Sequence, residues 1–191
     1  MILRALHSMT SKRARHEAGT PAKRGLPYSV MLQVLDAGHE IRAISLDISR
    51  AFDMVWHPAM LTKLSSDDIQ GHLHSWLTDF FSCRSQHVAL HGVLSSHLPV
   101  QAGVPQGSVL GPVLFLFFIN DLSDSLDNPV CLYADDSTLC HTICHPSDRQ
   151  AAASSLSADL HKITNWSNTW NMSFNPDKSH TLSMSLRNDH L

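Results

Sequence analysis

Cysteine is scarce in this chain: Cys83, Cys131, Cys140 and Cys144 are all that its 191 residues hold. So few thiols exclude a disulfide scaffold and fit a reducing compartment. A long hydrophobic run is also missing. The strongest, residues 112–119, falls far short of a membrane span. There is no secretory h-region, so the expected location is intracellular, in the nucleus or cytoplasm. Internal repeats and low-complexity tracts are absent as well. Nor is there an excess of positive charge: the formal net charge is −3, which argues against a wholly basic nucleic-acid binder. What is present is a core. Apolar residues make up 43% of the chain, which excludes wholesale disorder, and the length suits one domain or little more.

The charge is unevenly placed. Up to residue 30, Arg4, Lys12, Arg13, Arg15, Lys23 and Arg24 stand against Glu17 alone, a balance of +5 that leaves −8 for the rest of a chain totalling −3. The expected organisation is a basic flexible arm over residues 1–29, one folded domain over 30–186 and a short tail over 187–191. The arm suits a phosphate backbone or a solvated tail. As an organelle leader it lacks an amphipathic stripe.

The pattern along the chain predicts mixed elements. Residues 30–35 read as a helix stopped at Ala37-Gly38, and residues 41–47 as a strand. A helix is predicted over 51–64, and another after Ser66, capped by that residue with Asp67 and Asp68 in its first turn. Two short strands follow within 86–100, then the breaker-rich loop Gly103-Val104-Pro105-Gln106-Gly107-Ser108. Residues 109–122 are almost wholly apolar and predict a buried helix with Pro112 in its first turn. Short strands over 129–133 and 137–140 flank Ala134-Asp135-Asp136. A long amphipathic helix over 151–170 precedes a last pair of strands, 172–174 and 181–184. Without strict βαβ alternation, the order predicts an α+β fold, with helices packed on one face of an antiparallel sheet.

Asp47 ends a predicted buried strand, and Asp135 and Asp136 stand together at a tight turn. Two unit charges about 4 Å apart repel by about 4 kcal/mol at an effective dielectric near 20. Protonation relieves that, and so does a divalent cation. An all-carboxylate site without His or Cys suits Mg2+, and paired ions about 3.5–4 Å apart are a known device for in-line phosphoryl displacement. The plain alternative is a hairpin turn, where Asp is common.

Four motifs bear on this choice. Ser45-Leu46-Asp47-Ile48-Ser49-Arg50-Ala51-Phe52-Asp53-Met54-Val55-Trp56-His57 resembles the first palm motif of reverse transcriptases of non-LTR retrotransposons. The loop Gly103-Val104-Pro105-Gln106-Gly107-Ser108-Val109-Leu110-Gly111-Pro112, running into Phe118-Ile119-Asn120-Asp121-Leu122, resembles their second. Tyr133-Ala134-Asp135-Asp136 is similar to the third, and Asn175-Pro176-Asp177-Lys178 to the fourth. Trp76-Leu77 followed by Arg84-Ser85-Gln86-His87-Val88 is similar to the connecting segment of jockey and CR1-like elements. The resemblance spans roughly residues 30–184.

The resemblance implies a polymerase palm and an RNA-directed DNA polymerase, in which a primer 3′-hydroxyl attacks the α-phosphate of a deoxynucleoside triphosphate. It implies two Mg2+ ions, with Mn2+ as a substitute, held by Asp47, Asp135 and Asp136. Phe52 would stack beneath the incoming sugar and gate against a 2′-hydroxyl. Gln106 and Gly107 would meet the incoming nucleotide and template. Lys178 would protonate or neutralise the departing pyrophosphate. The implied partners are an RNA template, a DNA primer and the triphosphate. Each residue also has a plain reading: Phe52 as core, Gln106-Gly107 as a loop, Lys178 as a solvated cation, Asp53 as a first-turn helix carboxylate, Tyr133 as packing support for the turn.

Little before Val30 resembles the fingers of such enzymes, and only 13 residues follow Lys178, too few for a thumb. The expectation is a palm-centred fragment, with fingers and thumb largely missing, that binds Mg2+ weakly and extends primers poorly or not at all. The alternatives are a catalytically silent retrotransposon remnant that binds nucleic acid or protein, and a zinc module on Cys140-His141-Thr142-Ile143-Cys144-His145.

Overall fold

The computed structural model describes residues 28–186. Residues 1–27 of the expected basic arm and the tail 187–191 lie outside the described residues. In chain order the elements are α1 (Tyr28–Asp36), β1 (Glu40–Ile48), a 3-10 turn (Ala51–Asp53), α2 (His57–Ser66) and α3 (Gly71–Phe81). Four two-residue strands follow: β2 (Ser85–Gln86), β3 (Ala89–Leu90), β4 (Val93–Leu94) and β5 (Leu98–Pro99). Then come α4 (Leu110–Ile119), a 3-10 turn (Asn120–Ser123), β6 (Val130–Tyr133), β7 (Asp136–Ile143), a 3-10 turn (Pro146–Asp148), α5 (Arg149–Trp170) and β8 (Phe174–Met184). The described chain divides into two compact units, Phe52–Phe118 and the sheet unit formed by residues 28–51 with 119–186.

The sheet unit is a four-stranded antiparallel sheet in the order β6-β7-β1-β8. Ile41, Ala43, Leu46 and Ile48 of β1 are buried, with Leu139, Cys140 and Ile143 of β7. Helix α5 lies along β7, burying Ala152, Leu156, Ile163 and Trp166. Its buried polar residue, Asp159, fastens the chain entering β6. Its carboxylate accepts the backbone N–H groups of Asp127 (3.0 Å) and Asn128 (2.8 Å), the Asn128 amide (2.8 Å) and the Lys162 ammonium (2.9 Å). Burial pushes that carboxyl up, but these hydrogen bonds win and hold it below its ordinary 3.8. Glu40, at the start of β1, is treated alike. Burial raises it, yet hydrogen bonds from Arg149 (2.8 Å) and Ser183 (2.9 Å) hold it below its ordinary 4.5.

The expected pair of strands at 172–174 and 181–184 is instead one strand, β8, running beside β1. Its register slips between Ser45, opposite His180, and Asp47, opposite Asn175. The three residues 45–47 thus face the six residues 175–180, and the excess forms a bulge around Pro176, which has no N–H to give a ladder.

In the other unit, α2 and α3 pack together, and Val55, Ala59, Met60, Leu64, Leu77, Phe81, Phe115 and Phe118 are buried. The helix predicted over 51–64 is broken. A 3-10 turn ends at Asp53 and α2 begins at His57, with Pro58 in its first turn. A continuous helix would set the Pro58 ring against the Met54 carbonyl. The intervening backbone pairs with a loop instead: Gly103 N–H donates to Val55 O and Val104 N–H to Phe52 O, both at 2.8 Å. Ser66 does not cap the next helix; it ends α2, with its hydroxyl on Lys63 O at 2.8 Å, and Asp67 is that helix's C-cap. Helix α3 has no acidic residue in its first turn. The helix predicted over 109–122 is shorter, closing at Ile119, and it is not wholly buried: Val109 is 88% exposed and Leu116 49%. Lys63, 5% exposed, donates to Phe118 O at 2.7 Å, a cation at a helix C-terminus.

Candidate active site

Two groups of residues carry the predicted chemistry, one in each unit. In the sheet unit, Asp47 sits between buried Leu46 and Ile48, so strand alternation turns its side chain to the other face. The ladder fixes what it meets there. Asp47 is the register partner of Asp136 on β7 and of Asn175 on β8. Asp136 also closes the β6–β7 hairpin opposite Tyr133, across the two-residue loop Ala134-Asp135. Ala134 holds φ 53, a region that disfavours a residue with a Cβ, so the turn bearing the carboxylates is strained. Asp135 is half-buried and Asp136 exposed. The β8 bulge brings Lys178 in from the other side. Its Nζ lies 3.6 Å from Asp47 Oδ2, with the Asp47 side chain 21% exposed. The bulge is self-braced: Asn175 Oδ1 accepts Asp177 N–H at 3.1 Å, and Asn175 O accepts the Ser179 hydroxyl at 2.7 Å.

Asp47, Asp136 and Lys178 are therefore gathered by main-chain register. Among the described residues, no three His, Cys, Asp or Glu side chains stand close enough together to hold an ion. The charge facing Asp47 is the Lys178 ammonium. Tyr133 is 78% exposed, so it does not pack beneath the turn as predicted. The Cys140–His145 segment is dispersed by its strand: Cys140 is buried and its thiol pushed up by burial, Cys144 is exposed, and His141 Nδ1 meets the Asn128 amide oxygen.

In the other unit, Phe52 is half-buried, its ring 4.6 Å from that of Phe115, so it belongs to the core and also shows a surface. The loop carrying Gln106 and Gly107 is tied down along residues 52–57. Gly103, at φ 94, approaches so closely that a Cβ there would lie 3.1 Å from Asp53 O. His57, which sequence reasoning missed, donates Nε2–H to Gly103 O at 2.8 Å and packs its ring, tilted by 36°, against Phe81 with centroids 4.6 Å apart. Burial lowers its pKa, against the Gly103 bond, and the Arg84 charge lowers it further. Asp53, read from sequence as a first-turn helix carboxylate, lies in the 3-10 turn and also accepts the Gln106 amide at 2.7 Å. Nothing in the local pattern of 52–57 points to a loop some fifty residues on; a bulky histidine after Val55-Trp56 is the only hint.

The profile of the family described as "Reverse transcriptase (RNA-dependent DNA polymerase)" matches residues 1–188. The chain is 33% identical over 172 residues to the RNA-directed DNA polymerase from mobile element jockey of Drosophila melanogaster, covering 86% of this chain and 18% of that protein. It is 29% identical over 162 residues to the probable RNA-directed DNA polymerase from transposon X-element of the same fly, covering 82% and 17%. The chain thus spans under a fifth of the curated relatives it matches. Among solved structures, apo telomerase from Candida tropicalis, truncated from the C-terminal domain, superposes with a TM-score of 0.64 at 10% identity, over 97% of this chain and 41% of that one. That likeness shows the α+β polymerase fold. The reverse transcriptase family generally uses divalent metal ions. With its profile matched over nearly the whole sequence, the chain belongs to the reverse transcriptase family and is similar to the reverse transcriptase region of non-LTR mobile elements.

Proposed function

We propose that the chain is the catalytic palm of an RNA-directed DNA polymerase, adding deoxynucleotides to a primer 3′-hydroxyl on an RNA template inside the cell. The observation that carries this is the ladder register that sets Asp47 opposite Asp136, beside the strained Asp135 turn and within 3.6 Å of Lys178. The donor chemistry suits a hard dication, with carboxylate oxygens and no nitrogen or sulfur, and Asp47 already faces a cation; in this structure the three carboxylates do not stand close enough together to hold one ion as they are. Asp47 and Asp135 would hold Mg2+, with Asp136 completing the acidic end. When bound, such ions make the primer hydroxyl more acidic and neutralise charge on the leaving phosphates.

The chain's own groups do the rest. Asp136 adds a second carboxylate at the Asp47 register position, and a dication would gain from both. Lys178, on its braced bulge beside Asp47, would offer its ammonium to the departing pyrophosphate. Phe52 holds a flat ring to the sugar while Phe115 fixes that ring from behind. Gln106 and Gly107 meet the nucleotide and template, and φ 82 at Gly107 is readily reached only by a residue without a Cβ.

Primer extension tests this on the chain and on the jockey enzyme carrying this chain in place of its matching region. The chimera should extend a primer on RNA with Mg2+. Asp47→Asn and Asp135→Asn should each cost at least about 100-fold. A chimera that folds and stays inactive marks the chain as a silent remnant.

A further inference from the structure

We propose that Asp53 is a positioning residue whose carboxylate turns the Gln106 amide so that its carbonyl oxygen and one N–H are offered to a nucleoside. This rests on the reading that Gln106 meets the incoming nucleotide, and it names which part of that ligand Gln106 takes. Asp53 Oδ1 accepts from Gln106 Nε2 at 2.7 Å. An ionised carboxylate only accepts, so the amide must turn its nitrogen inward and its oxygen outward. Both ends stand on fixed backbone. Two main-chain hydrogen bonds of 2.8 Å join Phe52 and Val55 to Val104 and Gly103. A Cβ on Gly103 would crowd Asp53 O at 3.1 Å, and the 7% exposed His57 clamps Gly103 O at 2.8 Å. Both Asp53 and Gln106 are exposed, so water competes, and the orientation is worth about one ordinary hydrogen bond.

The chemistry of the ligand follows. One outward acceptor beside one donor complements a group that both donates and accepts, such as a base edge or a sugar hydroxyl. Phosphate oxygens only accept and gain nothing from the outward carbonyl. Gln106 would therefore serve the nucleoside and not its phosphates.

NMR on the full chain reads the contact directly, with Gln106→Leu assigning the side-chain signal. In the wild type the Gln106 side-chain amide should exchange with solvent about fivefold more slowly than in Asp53→Ala. Asp53→Asn, which keeps an acceptor, should retain part of that protection. The Gly103 and Val104 amides should stay unmoved in both variants, showing that the loop has not unfolded. A Gln106 amide indifferent to Asp53→Ala overturns the positioning role. Calorimetry then reads the ligand. Asp53→Ala should weaken dATP binding about fivefold and leave inorganic tripolyphosphate unchanged, and an abasic deoxyribose triphosphate separates base from sugar. Equal losses on dATP and tripolyphosphate overturn the nucleoside assignment. A wild-type chain that binds neither sinks the nucleotide reading and this assignment with it, while amide exchange still decides the Asp53–Gln106 contact.

Discussion

The two units place functional residues by different means. In the sheet unit, the carboxylates owe their positions to a ladder. Eight register pairs join β1 to β7 from Glu40 opposite Ile143 to Asp47 opposite Asp136, so shifting Asp47 means shifting the strand. In the Phe52–Phe118 unit the strands are two residues long, and the loop is held by two main-chain hydrogen bonds together with single side chains: Asp53 on Gln106, His57 on Gly103. Main-chain register is cooperative and tolerates substitution, since every residue contributes the same N–H and C=O. A side-chain latch is lost with one residue. The contrast extends to the surface, because Leu90, Val93, Leu94 and Leu98 of the small strands are 60–72% exposed, whereas β1 buries Ile41, Ala43, Leu46 and Ile48.

The largest expected effect strikes the buried polar anchor of the sheet unit. Asp159→Ala removes the acceptor for two backbone N–H groups, the Asn128 amide and Lys162. It should cost about 3 kcal/mol in denaturant unfolding, more than any change to an exposed carboxylate. A loss under about 1 kcal/mol would show that the ladder holds without it. Next comes the core of the other unit. Phe115→Leu leaves a cavity beneath Phe52 and should cost about 1–2 kcal/mol. It should also loosen the Phe52 ring, read as broadened aromatic NMR signals. Acid separates the units further. Glu40 and Asp159 both ionise more readily folded than unfolded, so their stabilisation is complete above their ordinary values of 4.5 and 3.8 and is lost as pH falls through the lower folded values. Hydrogen exchange between pH 5 and 3 should show β1 and α5 losing protection before α2 and α3 do; the reverse order contradicts the assignment. The smallest effect belongs to the exposed strands. Val93→Thr should shift stability by no more than about 0.5 kcal/mol, and a larger loss would show that this side chain is covered in solution.

Elements whose signal is local were legible in the sequence. The β1 strand, the hairpin at Asp135-Asp136, the stop at Gly38 and the long α5 are written in periodicity and turn residues within a few positions. Features set by distant partners were not. The break at residues 54–56 depends on a loop near residue 103, and the β8 bulge depends on Pro176 meeting a ladder position. Asp159 reads as a surface carboxylate until residues 127–128 are brought against it. At the site, the residue types and their order were legible through family resemblance. The register that pairs Asp47 with Asp136, and the Asp53–Gln106 latch, were not, because no local pattern encodes a cross-strand partner.

The central claim is that the strand end at Asp47 and the turn at Asp135-Asp136 form one cation-binding acidic site. Titrating the chain with Mn2+ while following backbone amide line widths tests it without recourse to activity. Broadening should begin at residues 47, 135, 136 and 178 and be delayed in Asp47→Asn. Broadening spread evenly over the surface carboxylates, or unaffected by that substitution, would contradict it.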